Sequence, residues 1–246
     1  MISTLMNDVN FPIKIKSFYF PMPLQNWSYV LYWDHFAVVI DPFEAIAIGD
    51  FITQSSLKLL AILNTHDHFD HIGGNADLLK RFPSAFLLTS PNDIPWPKNM
   101  SMDAIFTPGH CAKHHCFALY HGPKMTALFS GDLLFHGGVG RIMQDGSLEK
   151  LFESLELILM RTPGSAVIYP GHDYMDKNLS FAKTFPFFYS EELELHQQDF
   201  TMQREIERNI FLWSMYPKNW EKIPLEWRKN TPLETIRNFR LLRNRS

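Results

Sequence analysis

The stretch Thr65-His66-Asp67-His68-Phe69-Asp70-His71-Ile72-Gly73-Gly74 constrains this chain more than any other. It places His66, His68, Asp70 and His71 within six positions, directly after the apolar run Leu59-Leu60-Ala61-Ile62-Leu63. A short apolar run of this kind reads as a buried strand, and Gly73-Gly74 punctuates the far end of the motif. The four polar side chains therefore belong to a loop at a strand end. Alternate residues of extended backbone face the same way, so His66 and His68 can face one ion, while a turn through Phe69 sends Asp70 and His71 toward a second. Imidazole nitrogens and carboxylate oxygens suit borderline divalent ions such as zinc, and an ion with an open coordination position activates water. Metal-assisted hydrolysis is the chemistry such a loop serves.

Three later segments repeat one design, a strand-like run ending in glycine beside a ligand-type residue. Ala104 to Gly109 leads to His110, Thr126 to Gly131 leads to Asp132, and Ala166 to Gly171 leads to His172. Glycine lets backbone approach an ion closely or adopt positive φ. A structural metal site closes with four ligands, whereas two catalytic ions need roughly seven or eight with water included. Together with the first loop these residues supply that larger set.

The rest of the chain organises around these segments. Strands are expected over Ile13 to Phe20, Asn26 to Trp33, Phe36 to Ile40 and Ala85 to Thr89, with a turn at Asp41-Pro42 and a hairpin of Cys116 to Tyr120 and Thr126 to Ser130 around His121-Gly122-Pro123. Helical spacing is found at Asn75 to Phe82 and Leu148 to Met160. Strands and helices in this order suit two packed sheets with helices outside. Beyond Tyr174 the pattern turns helical, over Leu179 to Thr184, Glu191 to Trp213 and the basic stretch Leu233 to Leu242. We therefore expect a catalytic domain over residues 1–174 and a small helical domain over 175–246. Trp213, Trp220 and Trp227 recur every seven residues, but Pro217 and Pro224 would break a continuous helix, so they read as packing anchors.

A formal charge of −3 argues against general nucleic-acid binding, although Arg228 to Arg245 is basic and suits a small anion. Near Met1 nothing combines a basic start, an apolar run and a cleavage site, and no stretch is long enough to span a bilayer, so a cytoplasmic protein is expected; a monomer is the expected state. Cys111 and Cys116 lie five apart, too close for a useful disulfide, and read as free thiols. His114 and His115 are expected to be ordinary structural histidines.

The set HxHxDH followed by His110, Asp132 and His172 resembles the metallo-β-lactamase superfamily. That resemblance implies an α+β fold, an αββα sandwich with a helical C-terminal extension. It also implies that His66, His68 and His110 hold one ion, that Asp70, His71 and His172 hold another, and that Asp132 bridges them. Within the superfamily, T-P-G-H-C-A-K-H at Thr107 to His114, G-D-L-L-F at Gly131 to Phe135 and G-H-D-Y at Gly171 to Tyr174 are similar to glyoxalase II, the hydroxyacylglutathione hydrolases. The implied activity is hydrolysis of S-D-lactoylglutathione or related glutathione thioesters, as in methylglyoxal detoxification, by a hydroxide bridging two divalent ions. Zinc is the expected metal, with iron or manganese as alternatives. Asp70 and Asp132 are the implied catalytic carboxylates, as ligands first, with any proton relay left open. Asn230-Thr231-Pro232 followed by Arg237, Arg240 and Arg243 resembles the end of the family's extension, which helps bind glutathione.

The expected substrate contacts are Arg141, Tyr174, Arg240 and Arg243. Where the family pattern has an aromatic hydroxyl after Arg141, this chain has Met143, and the stretch Ser90 to Pro97 is short and rich in proline, which should reshape one wall of the site. Two other readings compete. A mononuclear iron persulfide dioxygenase shares the fold and a similar ligand triad, and a metal-stabilised binding protein would bind ions without turnover.

Overall fold

The computed structural model describes residues 12–188 and 199–244. The chain divides into two compact units that interleave along the sequence. One comprises Met1–Ile105, His115–Gly131 and Gly171–Asp173; the other comprises Phe106–His114, Asp132–Pro170 and Tyr174–Ser246. The boundary expected after residue 174 falls beside the last of these crossings, and residues 106–114 and 132–170 group with the C-terminal segment.

The first unit is built on β1 (Lys14–Phe20), β2 (Asn26–Trp33), β3 (Phe36–Ile40), β4 (Lys58–Leu63) and β5 (Phe86–Leu88), ordered β1-β2-β3-β4-β5 in one sheet. The first three strands are antiparallel, whereas β3, β4 and β5 run parallel. Parallel neighbours need crossovers, supplied here by helices α1 (Ile46–Gln54) and α3 (Asn75–Arg81). Ile48 and Ile52 of α1 and Leu78 of α3 pack with Val30, Val39, Leu59 and Ile62, all buried. Helix α1 was not read from the sequence: Gly49 and three isoleucines give it poor intrinsic propensity, and its burial outweighs that.

This topology collects the polar residues at one edge. In β2, Tyr29 faces Ile40 of β3, and Ile40 faces Leu63 of β4, so Asn26 at the start of β2, Asp41 after β3 and Asn64 after β4 all lie at the carboxyl ends of the parallel strands. Open sheets of this kind bind ligands at that edge. The metal-motif loop contains only a one-turn helix, α2 (Phe69–Ile72), after the extended His68. That is the turn through Phe69 expected from the sequence.

In the second sheet, β7 (His115–His121) lies between β8 (Lys124–Gly131) and β6 (Met100–Phe106). Strands β7 and β8 form the expected hairpin, with Gly122 at φ +57 in its turn. Tyr29 of β2 meets Phe129 of β8 edge to face at 5.3 Å, an aromatic contact from one sheet to the other. Within the proline-rich stretch after β5, Trp96 packs on Trp33, ring centroids 5.1 Å apart, at the end of β2 opposite Asn26.

The second unit holds the short antiparallel pair β9 (Leu134–Phe135) and β10 (Gly138–Val139), helix α4 (Leu148–Arg161) and strand β11 (Val167–Pro170). After these come α5 (Met175–Ala182), α6 (Met202–Arg208), α7 (Ile210–Met215), α8 (Pro217–Trp220) and α9 (Pro232–Arg243). Ser147 caps α4 and Thr231 caps α9, each accepting the backbone N–H three residues on. The single helix expected over Glu191 to Trp213 is corrected. Residues 191–198 lie outside the described residues, and the remainder is broken at Asn209, whose side chain caps α7. The tryptophans do serve as packing anchors: Trp227 meets Phe185 and Trp213 meets Phe188, at 5.0 and 5.3 Å. No helix of the described residues is long and apolar enough to cross a membrane.

Candidate metal centre and its surroundings

Five of the seven expected ligands belong to the first unit. His71 Nδ1 donates to Asp41 Oδ2 at 3.0 Å, and His172 Nδ1 donates to the Leu24 carbonyl at 2.9 Å. Each neutral ring therefore carries its proton on Nδ1 and presents a lone pair at Nε2. Those two Nε2 atoms stand 3.3 Å apart, and Asp70 Oδ2 lies 3.4 Å from the His172 Nε2 and 3.8 Å from the His71 Nε2. Two lone pairs and a carboxylate oxygen converging in a buried place repel one another unless a cation lies among them. Asp70, His71 and His172 thus fit a divalent ion, their ligand atoms all lying within 4.8 Å of one another.

His66 follows the same logic. The Thr65 hydroxyl donates to Asp41 Oδ2 at 2.6 Å and so accepts from His66 Nδ1, 2.9 Å away. Nε2 of His66 then carries the lone pair. His68 is half-buried, with its ring centroid 4.5 Å from that of His66.

Asp41, expected only at a turn, organises this group of ligands. Its Oδ2 serves both His71 and Thr65, its Oδ1 accepts the Thr65 N–H at 2.7 Å, and its own carbonyl is held by Ser28 Oγ at 2.6 Å. Asn26 does the same for Asp70, donating Nδ2 to its Oδ2 at 3.0 Å and to its carbonyl at 3.1 Å. Val38-Val39-Ile40-Asp41 is an apolar run ending in a carboxylate, but it lacks the glycine that marks Asp132, so the sequence carries only a weak sign of this role.

The second unit carries His110 and Asp132. His110 Nδ1 donates to the Arg141 carbonyl at 2.8 Å, so its Nε2 lone pair faces Asp132 Oδ2 at 3.5 Å, again an arrangement that suits a cation. Asp132 follows Gly131 and is held through its backbone: its N–H donates to His114 Nε2 at 3.1 Å, while His114 Nδ1 donates to Thr107 Oγ1 at 2.9 Å. His114, expected to be structural, is fully buried in that role. Gly140 passes so close that a Cβ there would lie 1.8 Å from the Asp132 carbonyl oxygen.

The expected substrate residues are distributed differently from the exposed basic helix face read from the sequence. Arg237 pairs with Glu149 at the surface. Arg240 is half-buried over the Phe211 ring and donates to the Val139 carbonyl at 3.0 Å and to Asn244 Oδ1 at 2.9 Å. Burial, and then the charges of Arg243 and Arg141, bring its pKa down to about 10. Burial also lowers that of Arg243, which reaches Asn178 Oδ1. Arg141 is exposed, with Nε 3.2 Å from Met143 Sδ. Tyr174 stands edge to face with Phe135 at 5.3 Å. The charges of Arg243 and Arg141 thus add to the electrostatic cost of Arg240, a relation that an anion relieves. Cys111 and Cys116 are buried thiols.

Residues 21–104 match the sequence model of the metallo-beta-lactamase superfamily. A hydroxyacylglutathione hydrolase of Francisella philomiragia is 32% identical over 231 residues, covering 84% of this chain and 90% of that protein. Among solved structures, the metallo-beta-lactamase from Staphylococcus aureus has a TM-score of 0.64 at 19% identity, over 95% of this chain and 72% of that one. ETHE1 from Myxococcus xanthus has a TM-score of 0.62 at 20% identity, over 91% and 94%. The two structural likenesses establish the fold alone: α+β, of the metallo-β-lactamase kind, with helices at the C-terminal end.

Proposed function

This chain belongs to the hydroxyacylglutathione hydrolase family of the metallo-β-lactamase superfamily, and on that premise we propose that it is a metal-dependent hydrolase of S-D-lactoylglutathione or related glutathione thioesters. The observation that carries the reading is the convergence of the His71 and His172 lone pairs on the Asp70 carboxylate, within a chain 32% identical to a hydroxyacylglutathione hydrolase over most of its length. The donor chemistry supports two divalent ions, zinc in the first instance, one on His66, His68 and His110, the other on Asp70, His71 and His172, with Asp132 shared. When bound, such ions supply an acidified water as nucleophile and polarise the thioester carbonyl.

The chain's own residues do the rest. Asp41 and the Leu24 and Arg141 carbonyls keep protons on the Nδ1 atoms of His71, His172 and His110, so that each Nε2 stays a donor atom. Arg141, Arg240 and Arg243 orient the glutathione carboxylates, and Tyr174 contacts the thioester. A leaving thiolate has a conjugate pKa of about 8.5 and departs without a strong general acid, so no further acid is required of Asp70 or Asp132. Met143 offers a thioether where the family pattern has a hydroxyl, which leaves Arg141 to carry the polar contact on that side. The division into a catalytic part over 1–174 and a helical substrate-binding part over 175–246, a monomeric state and a cytoplasmic site of action belong to the same proposal; cysteines kept as thiols suit a reducing compartment.

The test is hydrolysis of S-D-lactoylglutathione before and after removal of metal with a chelator. Turnover that is lost on chelation and restored by zinc is the expected result. Metal binding without turnover on any glutathione thioester would favour the binding-protein reading.

A further inference from the structure

Between Asp132 and Arg141 the backbone of the β9–β10 turn is held by side chains of the C-terminal helices. Asn178 Nδ2 donates to the His136 carbonyl at 2.9 Å, the Gly137 N–H donates to Glu205 Oε2 at 2.9 Å, Asn209 Nδ2 donates to the Gly138 carbonyl at 2.9 Å, and Arg240 donates to the Val139 carbonyl at 3.0 Å. At the centre lies Glu205, fully buried on α6. Its Oε1 accepts from His136 Nδ1 at 2.8 Å and from Arg208 through both Nε and a terminal nitrogen. The Phe200 ring covers this cluster, 4.4 Å from the His136 ring and 5.7 Å from the Arg208 guanidinium.

A buried ion pair of this kind is no more stable than well-packed apolar side chains of the same volume, so stability does not account for it. What a carboxylate does here and an apolar side chain cannot is to accept the Gly137 N–H and the His136 Nδ1–H together. Gly137 has φ +71, a left-handed conformation that leaves its N–H aimed at the helix. The Asp132 end of the segment has its own tether, through its N–H to His114. The other end carries Arg141.

We infer that Glu205, braced by Arg208 and His136, is a positioning residue that sets the course of the β9–β10 turn and so aims the Arg141 side chain at the thiol half of the substrate. The inference rests on the reading that Arg141 contacts glutathione.

Two double variants separate positioning from bulk stability. Glu205→Met/Arg208→Met removes both charges and the acceptor for Gly137; Glu205→Gln/Arg208→Met removes both charges and keeps that acceptor. Steady-state kinetics are read with S-D-lactoylglutathione and with a small uncharged thioester, alongside metal content and thermal unfolding. In the first variant KM for S-D-lactoylglutathione should rise at least about ten-fold, with kcat within about three-fold and the uncharged thioester and metal content nearly unchanged, while the second should restore KM to within about three-fold of the parent. If the first fails to fold, Asn209→Ser, which keeps an oxygen to cap α7 but cannot reach Gly138, should raise the same KM at least about three-fold. An unchanged KM in a folded variant, or an equal loss on both substrates, overturns the inference. Failure of the unmodified protein to turn over S-D-lactoylglutathione would overturn the functional reading itself, and this inference with it.

Discussion

The Nδ1 atom of His110 lies 2.8 Å from the carbonyl oxygen of Arg141. One residue thus orients a candidate metal ligand with its main chain and is assigned to the substrate with its side chain. Because the carbonyl survives truncation of the side chain, Arg141→Ala should leave metal content unchanged and raise KM for S-D-lactoylglutathione by about ten-fold, the worth of one charge-assisted contact. Metal analysis beside steady-state kinetics checks this. Loss of metal together with loss of affinity would break the separation of roles.

Asp41 makes a stronger demand. It fixes the tautomer of His71 and, through Thr65, that of His66. Residues in that position behind metal ligands usually cost about 10–100-fold in metal affinity when lost. Asp41→Ala should therefore bind zinc at least about ten-fold more weakly than the unmodified protein in a competition titration with a chromogenic chelator. Unchanged affinity would remove Asp41 from the account.

Arg240 is held at about 10, below the usual guanidinium range, by burial and then by Arg243 and Arg141. A cation whose folded value is depressed weakens the fold at every pH below that value, and the loss is recovered only as pH rises through about 10. A bound carboxylate offsets the same cost. Glutathione should then raise the melting temperature of the parent protein but not that of Arg240→Ala, whose KM for S-D-lactoylglutathione should rise about ten-fold or more at constant metal content. Equal ligand stabilisation in both proteins would make the basic end of α9 a mere surface feature.

Glu205 gives a pH prediction of opposite sign. Burial alone would raise its carboxyl, but Arg208 and His136 bring it down to about 2 from an ordinary 4.5. A depressed carboxylate contributes stability above its unfolded value, and that contribution is lost as pH falls from about 4.5 to about 2. In urea unfolding of metal-free protein, the parent should lose on the order of 3 kcal/mol more across this window than Glu205→Gln/Arg208→Met. Parallel acid profiles would contradict the ionic character of the cluster.

Much of the candidate centre was legible because its donors sit in a dense local motif or directly after a strand-like run and a glycine, so that His66 to His71, His110, Asp132 and His172 all announced themselves. Strand β1 and α4 were legible for a similar reason, one face of each being more buried than the other, whereas β2 and β3 are buried on both faces and read as mostly apolar runs. What stayed hidden depends on partners distant in sequence. Asp41 acquires meaning only when parallel pairing of β3 and β4 brings it beside Thr65, 24 residues on. Glu205 meets Gly137 across 68 residues, and in the sequence it is one more acid on an amphipathic helix. The break at Asn209 was obscured because the flanking residues keep helical spacing on both sides, and the contact of Trp96 with Trp33 stayed hidden because nothing local marks a partner so distant in sequence.

Metal content, measured on the same samples as thioester turnover for the unmodified protein and Asp132→Ala, tests the central claim most directly. The account predicts about two transition-metal ions per chain and hydrolysis of S-D-lactoylglutathione in the unmodified protein, with Asp132→Ala losing most activity, part of its metal and some thermal stability. One firmly bound iron per chain with oxygen consumed on glutathione persulfide, or full metal content retained in Asp132→Ala, would contradict it.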